Sequence, residues 1–108
     1  MNISTLLEQI KNHPDYHKAG MILCHNGVVR ETSREGEVVT GLEIAVDYDR
    51  LQQILEEQKA RAGIIDILVW INEGKPLSVG DDVMFLVVAG DIRETVIAAL
   101  TDTLNLIK

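Results

Sequence analysis

The sequence predicts an α+β domain in the order αββαββα, a mostly antiparallel sheet with helices packed on it. Three observations lead there. Apolar residues recur at helical spacing in 48–62 and again from Ile92 to Ile107. Residues 64–72, "IIDILVWIN", place Ile65, Ile67, Val69 and Ile71 on one strand face and Leu68 and Trp70 on the other. Residues 83–90, "VMFLVVAG", are apolar on both faces, so both faces need cover. A helix can cover one; another layer or a second subunit is expected on the other.

The remaining elements follow in order. Residues 5–12 read as a short helix, with Thr5 and Glu8 at capping-box spacing and Leu6, Leu7 and Ile10 as its apolar face. His13-Pro14 ends it, because the residue before proline avoids the helical region. Residues 19–30 and 37–46 read as two strands that can form a long hairpin around the polar loop "ETSREG". In the helix over 48–62, Tyr48, Leu51, Ile54, Leu55 and Ala62 share a face, Glu57 and Arg61 form an i,i+4 pair, and Gly63 is the stop. "EGKPLSVGDD" is a turn-rich connection. Asp91 and Glu94 stand at N-cap and N3 spacing before the last helix.

The 108 residues fit a single domain, 1–108, with one hydrophobic core. Hydrophobic residues at 46% and charged residues at 25% are ordinary for a globular protein. A net charge of -7 and only four aromatic residues argue against a general nucleic-acid binder, which needs cations for phosphates and rings for bases. Cys24, the single cysteine, rules out an intrachain disulfide and fits a reducing, cytoplasmic setting. The first residues lack the pattern of a secretory signal, and no apolar run is long enough to span a membrane.

Residues 25–36, "HNGVVRETSREG", put two arginines and two glycines into an otherwise acidic chain. Arg30 falls at a strand end, Arg34 in the loop, and Arg93 in the first turn of the last helix, where free N–H groups favour an anion. Arg30 and Arg93, if brought together, would clamp a phosphate or carboxylate; the alternative is two solvated arginines paired with nearby acids. His13, His17, His25 and Cys24 suggest a metal site, but Pro14 separates the first two and Cys24 and His25 point to opposite sides of a strand. Packing or surface roles are expected for them, and Cys24 is expected to be a small buried residue.

"NGVVR" (26–30), "GLEIAV" (41–46) and "VWINEGKPLSVGDDVMFLVVAGDIRETVIAAL" (69–100) together resemble the large, catalytic subunit of molybdopterin synthase, the MoaE family. The resemblance covers about residues 17–108. It rests on Gly27, Val29 and Arg30 of a G-x-V-R strand end, on Leu42 and Glu43, on Leu77, Gly80 and Asp81, and on "AGDIR" at 89–93. It implies an α/β hammerhead fold, a homodimer, and a small ubiquitin-like sulfur-carrier partner whose Gly-Gly end bears a thiocarboxylate. The implied reaction converts cyclic pyranopterin monophosphate to molybdopterin, with no resident cofactor or metal. By motif match, Arg30 and Arg93 would hold the anionic pterin, with Arg34 in the loop between.

The departures from the family pattern carry their own expectation. Ile92 stands where the family has the histidine of an "HR" pair, and Asn72-Glu73 stands at an earlier "HR". Family members continue past the last helix into a lysine-bearing P-x-W-K-x-E segment, whereas this sequence ends at Lys108. Impaired catalysis by the chain on its own is therefore expected. The alternative function is a non-catalytic homodimeric module that docks a Gly-Gly-tailed carrier.

Overall fold

The computed structural model describes residues 1–32, 36 and 41–107. Its organising element is the strand β5 (Asp82–Gly90), which lies between β1 (Met21–Val28) and β3 (Ile64–Ile71), antiparallel to both. Strand β2 (Leu42–Glu43) pairs with β4 (Pro76–Leu77) in a separate two-stranded sheet. The helices are α1 (Ile3–Lys11), α2 (Tyr48–Lys59) and α3 (Arg93–Ile107), with a short 3-10 turn at Tyr16–Lys18. The α+β class and the antiparallel sheet agree with the sequence reading. The two-residue β4, inside the segment read as a turn, is an addition to it.

The expected hairpin between 19–30 and 37–46 lies partly outside the described residues, since 33–35 and 37–40 are not among them. Among the described residues, β1 pairs with β5, and β2 pairs with β4. The doubly apolar β5 is the strand that gains most from the centre of the sheet, because there both its faces and both its edges are covered. Residues 37–40 of the second predicted strand lie outside the described residues.

Alternation along β5 builds two cores. Met84, Leu86 and Val88 pack with Ile67 under Val96 and Ala99 of α3. Phe85, Val87 and Ala89 pack with Leu6 and Ile10 of α1. The second face of β5 is thus covered by the chain's own first helix, and Trp70 meets Phe85 with ring centroids 5.0 Å apart.

Several local readings shift. Helix α1 starts two residues earlier than Thr5, capped by Asn2, whose side chain accepts from the Ser4 N–H at 2.9 Å. Tyr48 is 62% exposed, and Ala62 lies beyond the helix, so neither joins the apolar face. Arg61 does not pair with Glu57 but with Asp102 of α3. The first turn of α3 opens with the Val96 N–H bonding to the Ile92 carbonyl, so Ile92, not Asp91, takes the N-cap position. Asp91 instead accepts from the Ile92 N–H at 2.7 Å. Cys24 is exposed rather than buried, because it, Asn26 and Val28 alternate into solvent along β1.

Candidate functional site

Arg30 follows the end of β1 and is held by backbone pairing on its N-terminal side. The Val29 N–H donates to Asp81 O at 2.9 Å, and the Gly80 N–H donates back to Val29 O at 2.7 Å. The turn that receives it is closed by Asp81, whose carboxylate accepts from the Ser78 N–H at 2.8 Å, and by Gly80 at φ +91. Gly80 and Asp81, at the end of the connection read as turn-rich, therefore fix the backbone just before Arg30. The Arg30 side chain is exposed and makes no ion pair among the described residues.

Arg93 is the first residue of α3, 76% exposed at its side chain, with its Nε 3.8 Å from a Glu94 carboxylate oxygen. That exposed pair is weak. Arg34 lies outside the described residues.

The register decides whether Arg30 and Arg93 meet. Met21 pairs with Gly90 and Val28 with Asp82, so Arg93 follows one end of the β1–β5 ladder and Arg30 follows the other. Seven steps of about 3.3 Å separate the ends by roughly 23 Å. One chain does not bring the two guanidinium groups together on a single phosphate.

On the helix-covered face, near the Arg30 end of the sheet, lies a cavity of about 230 Å³ lined by Ile44, Val46, Ile54, Met84 and Ile107, with Asp47 and Arg50 also in its wall. Asp47 is committed as the N-cap of α2, accepting from the Arg50 N–H at 3.2 Å. Arg50 escaped sequence reasoning, because nothing in its local pattern separates it from an ordinary solvated helix arginine. Among the described residues no group of three or more His, Cys, Asp or Glu converges as metal ligands would. His13 serves the turn after α1, its Nδ1 accepting from the Asp15 N–H at 3.0 Å. No helix among the described residues is long and apolar enough to cross a membrane.

The fold and the placement of Arg30 define a small α+β domain in which the G-x-V-R end of β1 meets the Gly80-Asp81 turn that precedes β5. The chain belongs to the MoaE family: the family model described as MoaE protein matches residues 2–108. A protein of Methanocaldococcus jannaschii, described as uncharacterized, is 34% identical over 95 residues, covering 84% of this chain and 79% of the relative. The fold is shared with a molybdopterin biosynthesis MoaE protein from Burkholderia ambifaria, at 18% identity and a TM-score of 0.81 over 100% of this chain and 70% of that one. It is shared as well with a chain in a complex of subunits 1 and 2 of molybdopterin-converting factor from Helicobacter pylori, at 15% identity and a TM-score of 0.71, covering 97% of this chain and 70% of that one.

Proposed function

We propose that this chain acts in molybdenum cofactor biosynthesis as a homologue of the molybdopterin synthase large subunit, with Arg30, Arg93 and Arg34 as contacts for an anionic pterin. The observation that carries the reading is the family match over residues 2–108, which includes both motif arginines. The Helicobacter pylori complex supports a small partner subunit, here a ubiquitin-like sulfur carrier whose Gly-Gly end delivers the thiocarboxylate.

The distance between the arginines gives the homodimer a role. Because Arg30 and Arg93 follow opposite ends of one β1–β5 ladder, a phosphate gripped by both requires two chains. In a two-fold arrangement that sets the β1 strands antiparallel, each Arg30 end faces the Arg93 end of the other copy. Each charge-assisted bond to a desolvated phosphate contributes about 1.5–3 kcal/mol.

Catalysis by the chain on its own is impaired in this reading. Sulfur transfer develops negative charge on the leaving carboxylate, and losing one preorganised donor costs about 10²–10³ in rate. Ile92, 55% exposed, occupies the position of the family's histidine and offers no donor.

Calorimetry with cyclic pyranopterin monophosphate tests the site. Arg30→Ala and Arg93→Ala should each abolish the heat of binding, and an equimolar, re-equilibrated mixture of the two variants should recover part of it through mixed dimers. No heat from the unmodified chain at millimolar ligand would remove the pterin role. The exposed Ile92 at the histidine position favours a second reading, a non-catalytic module that docks the Gly-Gly-tailed carrier. A carrier pull-down without pterin binding would select it.

A further inference from the structure

A second cavity, of about 360 Å³, adjoins the first, sharing Val46, Leu51 and Ile71 with it, and neither Arg30 nor Arg93 lines it. Three consecutive residues of β3, Val69, Trp70 and Ile71, line it. Neighbours on a strand point to opposite faces, so a cavity touching three in succession straddles the strand's edge rather than lying over one face. That edge is open: β3 pairs with β5 on one side, and among the described residues no strand lies on the other.

The rest of the wall carries groups that can attract a cation. Tyr48 and Trp70, two of the four aromatic residues of the chain, both line it, and Tyr48 is 62% exposed at the start of α2. Glu73 lines it too and makes no ion pair among the described residues. The Asn72 side-chain amide N–H is committed to the Asp82 carbonyl at 3.0 Å, and its own carbonyl oxygen is left as an acceptor. Aromatic faces attract ammonium and guanidinium groups, and a carboxylate beside them adds direct charge. Of the nearest cations in sequence, Arg50 lines the adjoining cavity and not this one, and Lys75 is exposed beyond Gly74.

We propose that the open edge of β3 takes an extended segment of a partner protein, and that the cavity beside Trp70 holds a lysine or arginine side chain of that segment. Main-chain pairing along the edge supplies affinity, and the aromatic-carboxylate pocket selects a basic residue on the added strand. The chain's net charge of -7 favours approach of such a partner. This surface is independent of the pterin site, since none of its residues is an arginine of that site.

Trp70 is the only tryptophan and lines this cavity, so its emission responds to a ligand bound there. The probe is the blocked peptide acetyl-VRVKV-amide, titrated into the full chain at low salt. A saturable change in emission is expected. Glu73→Gln and Tyr48→Ala, both at accessible positions, should each weaken binding about two- to fivefold, with unchanged circular dichroism. The acidic peptide acetyl-VEVEV-amide should not bind. No change with the basic peptide up to millimolar concentration would overturn the proposal, as would equal binding of the acidic one. Binding of N-acetylarginine amide as tight as that of the peptide would overturn the strand-pairing part, leaving a site for small cations. Full affinity in Glu73→Gln would show that the carboxylate does not select the ligand.

Discussion

Arg61 Nη1 lies 2.7 Å from Asp102 Oδ2, and the same nitrogen donates to Gln58 Oε1 at 3.0 Å. This contact ties the residues just beyond α2 to the middle of α3, across the helix pair that covers one face of the sheet. The pair is partly exposed, with side-chain exposures of 31% and 55%, so its worth is bounded by that of surface ion pairs. Asp102→Ala should lower the unfolding free energy by about 0.2–1 kcal/mol in low salt, and the loss should shrink in 1 M salt, where screening reaches about 3 Å. Urea denaturation at the two salt concentrations measures both. A loss that persists undiminished in high salt would show that the contact acts through packing rather than charge.

Gly63, four residues beyond the last residue of α2, takes a left-handed conformation, φ +85, with the Asp91 carboxylate directly over the place a Cβ would fill. Its carbonyl also accepts from the Asp91 N–H at 2.9 Å. Gly63→Ala therefore carries the left-handed penalty, about 1–2 kcal/mol, and also displaces Asp91 from the Ile92 N–H it holds at 2.7 Å. A total loss of about 2–4 kcal/mol is expected. Gly74→Ala is the control: φ is +75 there but no atom lies within 4 Å, so only the backbone penalty of about 1–2 kcal/mol applies. Equal losses in the two variants would remove the steric role of Asp91.

Cys24 is exposed at the middle of β1, yet partial burial pushes its thiol pKa up. The neutral thiol is favoured in the folded chain, so the unfolded chain ionises first as pH rises. The stabilisation is fully present below the unfolded value, about 8.5, and is lost as pH rises through the folded one. Iodoacetamide, which reacts with the thiolate, should therefore alkylate the native protein more slowly than the urea-unfolded protein at pH 8. Cys24→Ser should flatten the decline of stability across that alkaline window. Native alkylation as fast as unfolded alkylation would contradict the shift.

What was legible in the sequence is the set of elements, because their signals are local. The apolar period marked α2 and α3, although α2 ends at Lys59 and not at Gly63, and the doubly apolar "VMFLVVAG" announced a strand covered on both faces. Pairing was less legible. Residues 19–30 and 37–46 are adjacent in sequence, and nothing local says that β1 must cross to β5. The cover for the second face of β5 proved to be α1, whose Ile10 is fully buried, and only the fold reveals which element reaches it. The candidate arginines were legible as residues through the family motif, but their separation was not, since it depends on the register of β1 against β5. The cavity beside Trp70 left no sequence signal because Tyr48 and Glu73 come from elements that meet only in the fold.

Thr103, in the middle of α3, is fully buried, and its Oγ1 has no hydrogen-bond partner among the described residues. A hydroxyl held out of water without a partner costs about 1–3 kcal/mol, whereas a methyl of the same shape in the same place costs nothing in desolvation. Thr103→Val keeps the branched outline and a similar helix propensity, so it should raise the unfolding free energy by about 1 kcal/mol. Thr103→Ser does the reverse: it keeps the unmet hydroxyl and removes a buried methyl, for a loss of about 1 kcal/mol or slightly more. The two variants should therefore move the urea midpoint in opposite directions at an unchanged slope. A Thr103→Val protein clearly less stable than the parent would show that the hydroxyl is bonded in solution, with the Ala99 carbonyl one turn back as the nearest acceptor along the helix.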